Sequence, residues 1–254
     1  MLRTSDLTIR FGGHVAVDAV SCAFAPGQLT AIVGPNGAGK TTYFNLVSGQ
    51  LPASAGQVWL DGEDITALPA PLRTRRGLGR AFQLTQLFAR LTVLENVRLA
   101  VQARRSQGHG IDLWRVWLDR REWIDEALAL LDRVKLAGQR DALAAELPHG
   151  DQRKLEVALL IALDPKVYLF DEPTAGMSAD DAPVVLDLIR SLKADGRRTI
   201  LLVEHKMDVV RELADRIVVL HQGRLVADGD PATVMASAVV QEAYLGRAAA
   251  RQAA

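Results

Sequence analysis

Largely apolar runs of four or five residues recur along this chain, each followed closely by small or charged residues. Three of them are Leu29–Val33, Val167–Phe170 and Thr199–Val203. Strands that are buried on both faces of a parallel sheet have this continuous apolar character. Between the last two runs, apolar residues recur at helical spacing from Val184 to Leu192, and Gly196 follows as a stop signal. The alternation predicts an α/β protein.

Two other regions have different patterns. From Leu2 to about Leu60, short strand-like runs are broken by turn residues, which predicts an antiparallel layer against the parallel sheet. From about Leu84 to Ile161 the spacing becomes helical. Thr92 and Glu95 have the spacing of a capping box there, which predicts a helix start. Three tryptophans follow, which fit either helix packing or a contact surface for a membrane protein: Trp114, Trp117 and Trp123.

The run Leu29–Val33 leads directly into a glycine-rich motif that matches the full phosphate-loop pattern G-x-x-x-x-G-K-[ST]. Its residues are Gly34, Pro35, Asn36, Gly37, Ala38, Gly39, Lys40, Thr41 and Thr42. The glycines allow successive backbone N–H groups to turn towards phosphate oxygens, and the positive end of the following helix faces the same anion. We therefore expect the loop to bind ATP, with Lys40 on the β- and γ-phosphates and the Thr41 hydroxyl on Mg²⁺.

Two carboxylates and a histidine follow the other two buried runs: Asp171, Glu172 and His205. The carboxyl ends of parallel strands are where open α/β sheets bind ligands. Asp171 is suited to hold Mg²⁺ through its water shell, and Glu172 to act as the general base or to orient the attacking water. His205 is predicted to contact the γ-phosphate, although a single histidine after an apolar run is more often packed or solvated.

Together these motifs resemble the nucleotide-binding subunits of ATP-binding-cassette (ABC) transporters, over nearly the whole chain. The resemblance implies that Phe11 stacks on adenine. It also implies that Gln83 contacts Mg²⁺, the attacking water and the membrane partner. Leu147–Gln152 stands at the family's L-S-G-G-Q signature, in which Gly150 is expected to act on the ATP of a second subunit.

The resemblance narrows to one subgroup, the importers of branched-chain amino acids, other amino acids or urea. It is carried by three segments: Arg10–Gly13, Ala175–Met177 and Glu242–Gly246. It implies an ATPase that works with transmembrane permease subunits, as a homodimer or as a heterodimer with a second ABC ATPase subunit. It further implies a cytoplasmic protein, peripheral on the inner face of the cell membrane.

The expected fold is an α/β P-loop NTPase (RecA-like) core with an antiparallel β layer and an inserted α-helical subdomain. We expect one ABC ATPase domain over 1–254. Its catalytic core with the β layer would be formed by 1–83 and 162–254, and its helical signature subdomain by 84–161.

Several residues depart from the common family pattern, and three of them bear on the expected contacts. Pro148 stands where the signature has serine, so this position supplies neither a hydroxyl nor a backbone N–H. Proline also suits a helix start, which gives a purely structural alternative. Asp151 adds a negative charge beside Gly150. Ser178 replaces an aspartate of many relatives, so the contact of that aspartate across the dimer cannot be carried over.

Composition excludes several other classes. Lys and Arg together number 30, as do Asp and Glu, so no basic excess favours nucleic acid as a partner. No apolar run approaches the ~20 residues that cross a bilayer, and the N-terminus lacks a signal-peptide core, so a cytosolic protein is expected. The single cysteine, Cys22, excludes an internal disulfide and a cysteine zinc cluster, and it is expected to fill core space.

Three alternative functions remain at this point. A GTPase is disfavoured because the chain has no N-K-x-D motif to read guanine. The second alternative is a soluble ABC ATPase of DNA repair or translation, although such proteins usually join two cassettes or add coiled-coil or zinc modules. A regulatory subunit that binds ATP but hydrolyses it weakly is suggested by Pro148.

Overall fold

The computed structural model describes residues 1–81, 87–106, 121–237 and 240, and these contain ten strands and eight α-helices. The strands are β1 (Leu2–Phe11), β2 (His14–Phe24), β3 (Leu29–Val33), β4 (Ala55–Leu60), β5 (Glu63–Asp64), β6 (Leu78–Ala81), β7 (Val167–Asp171), β8 (Thr199–Val203), β9 (Arg216–His221) and β10 (Arg224–Gly229). The helices are α1 (Lys40–Ser48), α2 (Ala70–Arg75), α3 (Val93–Arg105), α4 (Arg121–Arg133), α5 (His149–Leu163), α6 (Ala182–Ala194), α7 (Met207–Leu213) and α8 (Pro231–Ala236).

The strands form two sheets. One is antiparallel, with strand order β2-β1-β4-β5. The other has the order β10-β9-β3-β8-β7-β6, in which β9, β3, β8 and β7 pair in parallel and β10 is antiparallel to β9. A mostly parallel sheet beside an antiparallel one confirms the predicted fold class.

The chain divides into two compact units. The first contains Met1–Arg80, Lys166–Glu172 and the described residues from Lys193 onward. The second contains the described residues of Ala81–Pro165, together with Pro173–Leu192. The subdomain boundaries given above, at 84 and 161, stay a prediction.

Every residue of β3, β7 and β8 is buried, as the three apolar runs predicted. The register of the parallel pairs places Ile32 opposite Val203, and Val203 opposite Asp171. The three strands therefore end at one level of the sheet. The chain segments that leave them start side by side at this carboxyl edge.

The core of the first unit anchors the helix that follows the phosphate loop. Tyr43 and Phe44 on α1 and Phe24 on β2 are fully buried. The Tyr43 hydroxyl lies 2.9 Å from the Thr4 hydroxyl, which satisfies both groups in the core. Burying an aromatic side chain of this size contributes about 2 to 3 kcal/mol to folding. Packing of α1 thus fixes the start of the helix, where the phosphate loop ends. Cys22 is buried in the same core, as expected.

The second unit has a core of apolar residues on α3, α4 and α5. The capping box predicted at its first helix is confirmed: the Glu95 N–H donates to the Thr92 hydroxyl at 3.1 Å, and the Thr92 N–H donates to the Glu95 carboxylate at 2.8 Å.

Trp123 is buried on α4, which confirms helix packing for this tryptophan. Trp114 and Trp117 lie outside the described residues. Each helix in the described ranges is too short or too polar to span a bilayer.

Candidate functional site

The phosphate loop joins β3 to α1, and its glycines are required by backbone geometry. Gly34, Gly37 and Gly39 have φ angles of 152°, 82° and 96°, which other residues rarely adopt. A Cβ on Gly34 would lie 2.1 Å from the carbonyl oxygen of Leu220, and one on Gly39 would lie 2.5 Å from that of Ala16. A Cβ on Gly37 would meet nothing within 4 Å. The loop is therefore packed against the protein at both ends and open at its middle.

Lys40 is held inside this loop. Its ammonium group donates to the carbonyl oxygens of Gly34 at 2.7 Å and Pro35 at 3.1 Å, and the residue is 5% exposed. Burial lowers the pKa of Lys40, and the nearby charges of Glu172 and Asp171 oppose that shift. A buried cation with carbonyl partners is well placed to exchange them for phosphate oxygens, which carry more negative charge.

The other loop residues complete the cradle. The Ala38 N–H donates to the Pro35 carbonyl at 3.1 Å, and the Ala38 carbonyl accepts from the Gly223 N–H at 3.0 Å. Asn36 stands at the exposed part of the loop. Thr41 and Thr42 follow Lys40 in the first turn of α1 and are half-buried. Their position at a helix N-terminus fits the binding of an anion and its metal.

Asp171 ends β7 as a buried carboxylate whose two oxygens differ. Its Oδ2 accepts from Nη2 of Arg80 at 2.8 Å, whereas its Oδ1 is buried and accepts no hydrogen bond from the described part of the chain. Burial raises the pKa of Asp171, and the Arg80 guanidinium opposes that shift. A buried oxygen without a partner costs free energy unless a further ligand satisfies it.

Carboxylate and hydroxyl oxygens at this edge of the sheet fit Mg²⁺. This hard cation usually binds only one or two protein oxygens and completes its coordination with water and phosphate oxygens. Asp171 Oδ1 is one candidate donor and the Thr41 hydroxyl is the other. Among the described residues, no group of three or more His, Cys, Asp or Glu side chains is arranged to hold a metal.

Glu172 and His205 are brought together by the sheet. Glu172 has a φ angle of 51°, and its N–H donates to the Val203 carbonyl at 2.9 Å. Its Oε1 lies 2.7 Å from Nε2 of His205. The side chains are 28% and 41% exposed, so both groups can be reached by water and substrate. A carboxylate in contact with solvent and hydrogen-bonded to an imidazole is able to orient or deprotonate a water molecule.

The remaining candidate residues of the first unit are partly described. Phe11 is the last residue of β1 and is 50% exposed, so its ring is available for stacking. Gln83 lies outside the described residues. Sequence reasoning missed Arg80, the partner of Asp171, because a basic residue in a short strand gives no signal of this contact.

The signature segment lies in the second unit. Pro148 precedes the first residue of α5, and its carbonyl accepts from the Gln152 N–H at 3.0 Å, but it provides no side-chain cap. Asp151 is paired with the Lys154 ammonium at 2.5 Å, and Lys154 also contacts Asp181 at 2.9 Å. One lysine thus faces two carboxylates, so the cluster beside Gly150 keeps a net negative charge.

Comparison with protein-family models finds two matches. Residues 17–175 match the model described as ABC transporter, which spans more than half of the chain. Residues 224–250 match the model described as branched-chain amino acid ATP-binding cassette transporter.

Relatives and solved structures agree with these matches. The chain is 36% identical over 251 residues to the high-affinity branched-chain amino acid transport ATP-binding protein BraF of Pseudomonas aeruginosa, covering 98% of each protein. It is also 36% identical over 251 residues to LivG of Escherichia coli, which has the same description, again covering 98% of each. The crystal structure of a nucleotide-free ATP-binding cassette from an ABC transporter superposes with a TM-score of 0.80 at 30% identity, covering 96% of this chain and 98% of that one.

Proposed function

This chain belongs to the ABC transporter family, as its motifs predicted, and we propose that it is the Mg²⁺-dependent ATPase subunit of an importer for branched-chain amino acids. Family membership makes it a nucleotide-binding subunit that hydrolyses ATP to drive transport. The substrate class is supported by the descriptions of BraF and LivG and by the match at residues 224–250.

One observation carries the proposal: the phosphate loop, Asp171–Glu172 and His205 all leave the same edge of one sheet. The register of β3, β8 and β7 aligns the three strand ends, and a 2.7 Å hydrogen bond joins Glu172 to His205. Hydrolysis needs a phosphate cradle, a metal ligand and a group that acts on water within a few ångströms of each other. Adjacent parallel strands that end together supply such an arrangement.

The chemistry follows from the position of each group. Backbone N–H groups of the loop and the Lys40 ammonium bind the β- and γ-phosphates of ATP. Thr41 and Asp171 would hold Mg²⁺, which when bound neutralises phosphate charge. Glu172 orients the attacking water and accepts its proton. His205 contacts the γ-phosphate. Nε2 of His205 is hydrogen-bonded to Glu172. This hydrogen bond must therefore break before Nε2 can contact a phosphate oxygen.

The remaining roles come from the family resemblance. Phe11 stacks on adenine, and Gln83 links the metal and the attacking water to the permease. The chain works as a homodimer, or as a heterodimer with a second ABC ATPase subunit, in which Gly150 acts on the ATP of the partner. Attachment to transmembrane permease subunits would place it on the cytoplasmic, inner face of the cell membrane. BraF and LivG are described as transport ATP-binding proteins, which supports this assembly.

A second candidate function is a regulatory subunit that binds ATP but hydrolyses it slowly. It is favoured by Pro148, which presents neither a hydroxyl nor an N–H at the start of α5. The two candidates agree on ATP binding and differ in turnover.

Reconstitution with the permease subunits in vesicles tests the proposal. We expect uptake of radiolabelled leucine that requires ATP and Mg²⁺ on the side of this subunit. Hydrolysis without uptake of leucine, isoleucine or valine would contradict the substrate class and leave the ATPase in place. Binding of ATP with little hydrolysis, even with permeases present, would favour the regulatory subunit.

A further inference from the structure

We propose that Arg80 is a positioning residue for Asp171, holding one carboxylate oxygen so that the other is presented to Mg²⁺. This inference rests on the proposed function, in which Asp171 holds the metal. It assigns a role to a buried arginine that has no part in the chemistry described so far.

The contact is buried and direct. Nη2 of Arg80 donates to Oδ2 of Asp171 at 2.8 Å, and the two side chains are 5% and 0% exposed. The other oxygen, Oδ1, accepts no hydrogen bond from the residues described. A carboxylate can rotate about its last bond and exchange its oxygens. With Arg80 on Oδ2, the orientation is fixed and Oδ1 is the oxygen left available.

Arg80 is itself held by α1, the helix that follows the phosphate loop, and by Gln50 just beyond its end. Its Nη1 lies 2.6 Å from Oδ1 of Asn45, 3.0 Å from the Ser48 hydroxyl and 3.2 Å from Oε1 of Gln50. Its guanidinium carbon also lies 5.7 Å from the centre of the Phe44 ring. The planar guanidinium thus binds α1 with one nitrogen and Asp171 with the other, which a lysine cannot reproduce.

This bridge links the two sources of predicted metal ligands. Thr41 lies in the first turn of α1, and Asp171 ends β7. Because Arg80 contacts both elements, it fixes the carboxylate relative to the helix that carries the hydroxyl. Groups that orient a metal ligand in this way change metal affinity by about 10- to 100-fold when they are removed.

The affinity for a fluorescent ADP analogue, measured at increasing Mg²⁺ concentration, distinguishes a loss of metal-ligand positioning from a general loss of protein stability. In the wild type, we expect Mg²⁺ to tighten nucleotide binding with a defined midpoint. In Arg80→Met, the Mg²⁺ midpoint should rise by about tenfold or more, while the affinity measured in EDTA stays unchanged. Arg80→Lys should resemble Arg80→Met, because lysine keeps the positive charge but loses the planar guanidinium that binds α1 and Asp171 with separate nitrogens.

Arg73 supplies a matched control in the same unit. It is also a buried arginine that contacts the end of α1, but it lies on α2, and within the described residues it donates only to backbone carbonyls, among them those of Leu46 and Val47 at 2.7 Å. Arg73→Met should lower the melting temperature without moving the Mg²⁺ midpoint. Asn45→Ala, which loosens Arg80 from α1, should move the midpoint in the same direction as Arg80→Met and by less.

Each outcome bears on one claim. A folded Arg80→Met or Arg80→Lys with the wild-type midpoint would overturn the positioning role. If Arg80→Met does not fold, Asn45→Ala decides, and an unshifted midpoint in that variant overturns the role. A wild type whose nucleotide affinity ignores Mg²⁺ would instead refute the metal site of the proposed function, and the positioning role with it.

Discussion

Oε1 of Glu172 and Nε2 of His205 lie 2.7 Å apart although the residues are 33 positions apart in the chain. The contact exists because β7 and β8 are paired in parallel with Asp171 opposite Val203. Each side chain therefore leaves its strand near the same edge. One consequence is that the imidazole restrains the carboxylate that we assign to water activation.

This contact predicts coupled effects on hydrolysis. His205→Ala should lower ATP turnover by about 10- to 100-fold, with ATP affinity retained, because the carboxylate and the γ-phosphate lose the same partner. The double variant with Glu172→Gln should lose little more than Glu172→Gln alone. Steady-state ATP turnover of the wild type, the two single variants and the double variant completes a double-mutant cycle. Losses that multiply would show that the two residues act independently.

Phe11 is predicted to bind the adenine ring. Phe11→Ala should weaken ATP binding by about 1 to 3 kcal/mol, the range measured for stacking of a base on an aromatic side chain. Phe11→Tyr should bind normally. Because Phe11 is 50% exposed, its truncation should leave the melting temperature nearly unchanged. Phe88, which is 59% exposed in the second unit, provides the control: Phe88→Ala should not alter nucleotide affinity.

Pro148→Ser is predicted to strengthen the ATP-dependent dimer. A serine hydroxyl at this position can accept from an N–H at the start of α5 and still donate to a phosphate of the partner site. The hydrogen bond to phosphate should contribute about 1 to 3 kcal/mol. Pro148→Ala restores the N–H without the hydroxyl, and the comparison isolates the hydroxyl.

Light scattering with ATP, in a hydrolysis-deficient background, measures that dimer. The stability of the monomer should change little, because a new cap of about 1 kcal/mol offsets the lost restriction of the unfolded chain by proline. Equal dimer affinity in all three proteins would mean that Pro148 serves only to start the helix.

Stability should fall at alkaline pH, in part through Cys22. Burial raises the pKa of its thiol from 9.0 to about 11. The folded thiol therefore stays neutral while the unfolded one ionises, so stability present below pH 9 is lost as the pH rises towards 11. Between roughly pH 8 and pH 10 this amounts to about 1 kcal/mol. Urea unfolding of Cys22→Ala should show a smaller loss over this range. An equal loss of stability in the wild type and in Cys22→Ala would mean that other groups cause the alkaline destabilisation.

The sequence predicted the elements that have strong local signals. Apolar runs of strand length gave β3, β7 and β8, and the capping box gave the start of α3. The phosphate loop could be placed because glycine spacing reflects backbone geometry that few other sequences satisfy. Local signals of this kind need no knowledge of distant contacts.

Contacts between distant residues could not be predicted. Arg80 and Asp171 are 91 positions apart, and nothing in either local pattern indicates their pairing. The charge of Asp151 is a similar case: Lys154 stands three residues further on, but Asp181, the second carboxylate on this lysine, is 27 positions away from it. The electrostatic effect of Asp151 therefore depends on the whole cluster of two carboxylates and one lysine. The role of Gln83 stays a prediction from the family pattern.

Turnover of Glu172→Gln, purified with its permease subunits, tests the central claim most directly, which is that this chain hydrolyses ATP at the edge where β7 and β8 end. Lys40, Thr41 and Asp171 are intact in this variant, so ATP affinity should be retained. Hydrolysis should fall by ~100-fold or more, because the amide can neither accept the proton nor orient the water as the carboxylate does. An ATP-bound dimer should accumulate. Wild-type turnover in this variant would contradict the account, since the water would then be activated elsewhere.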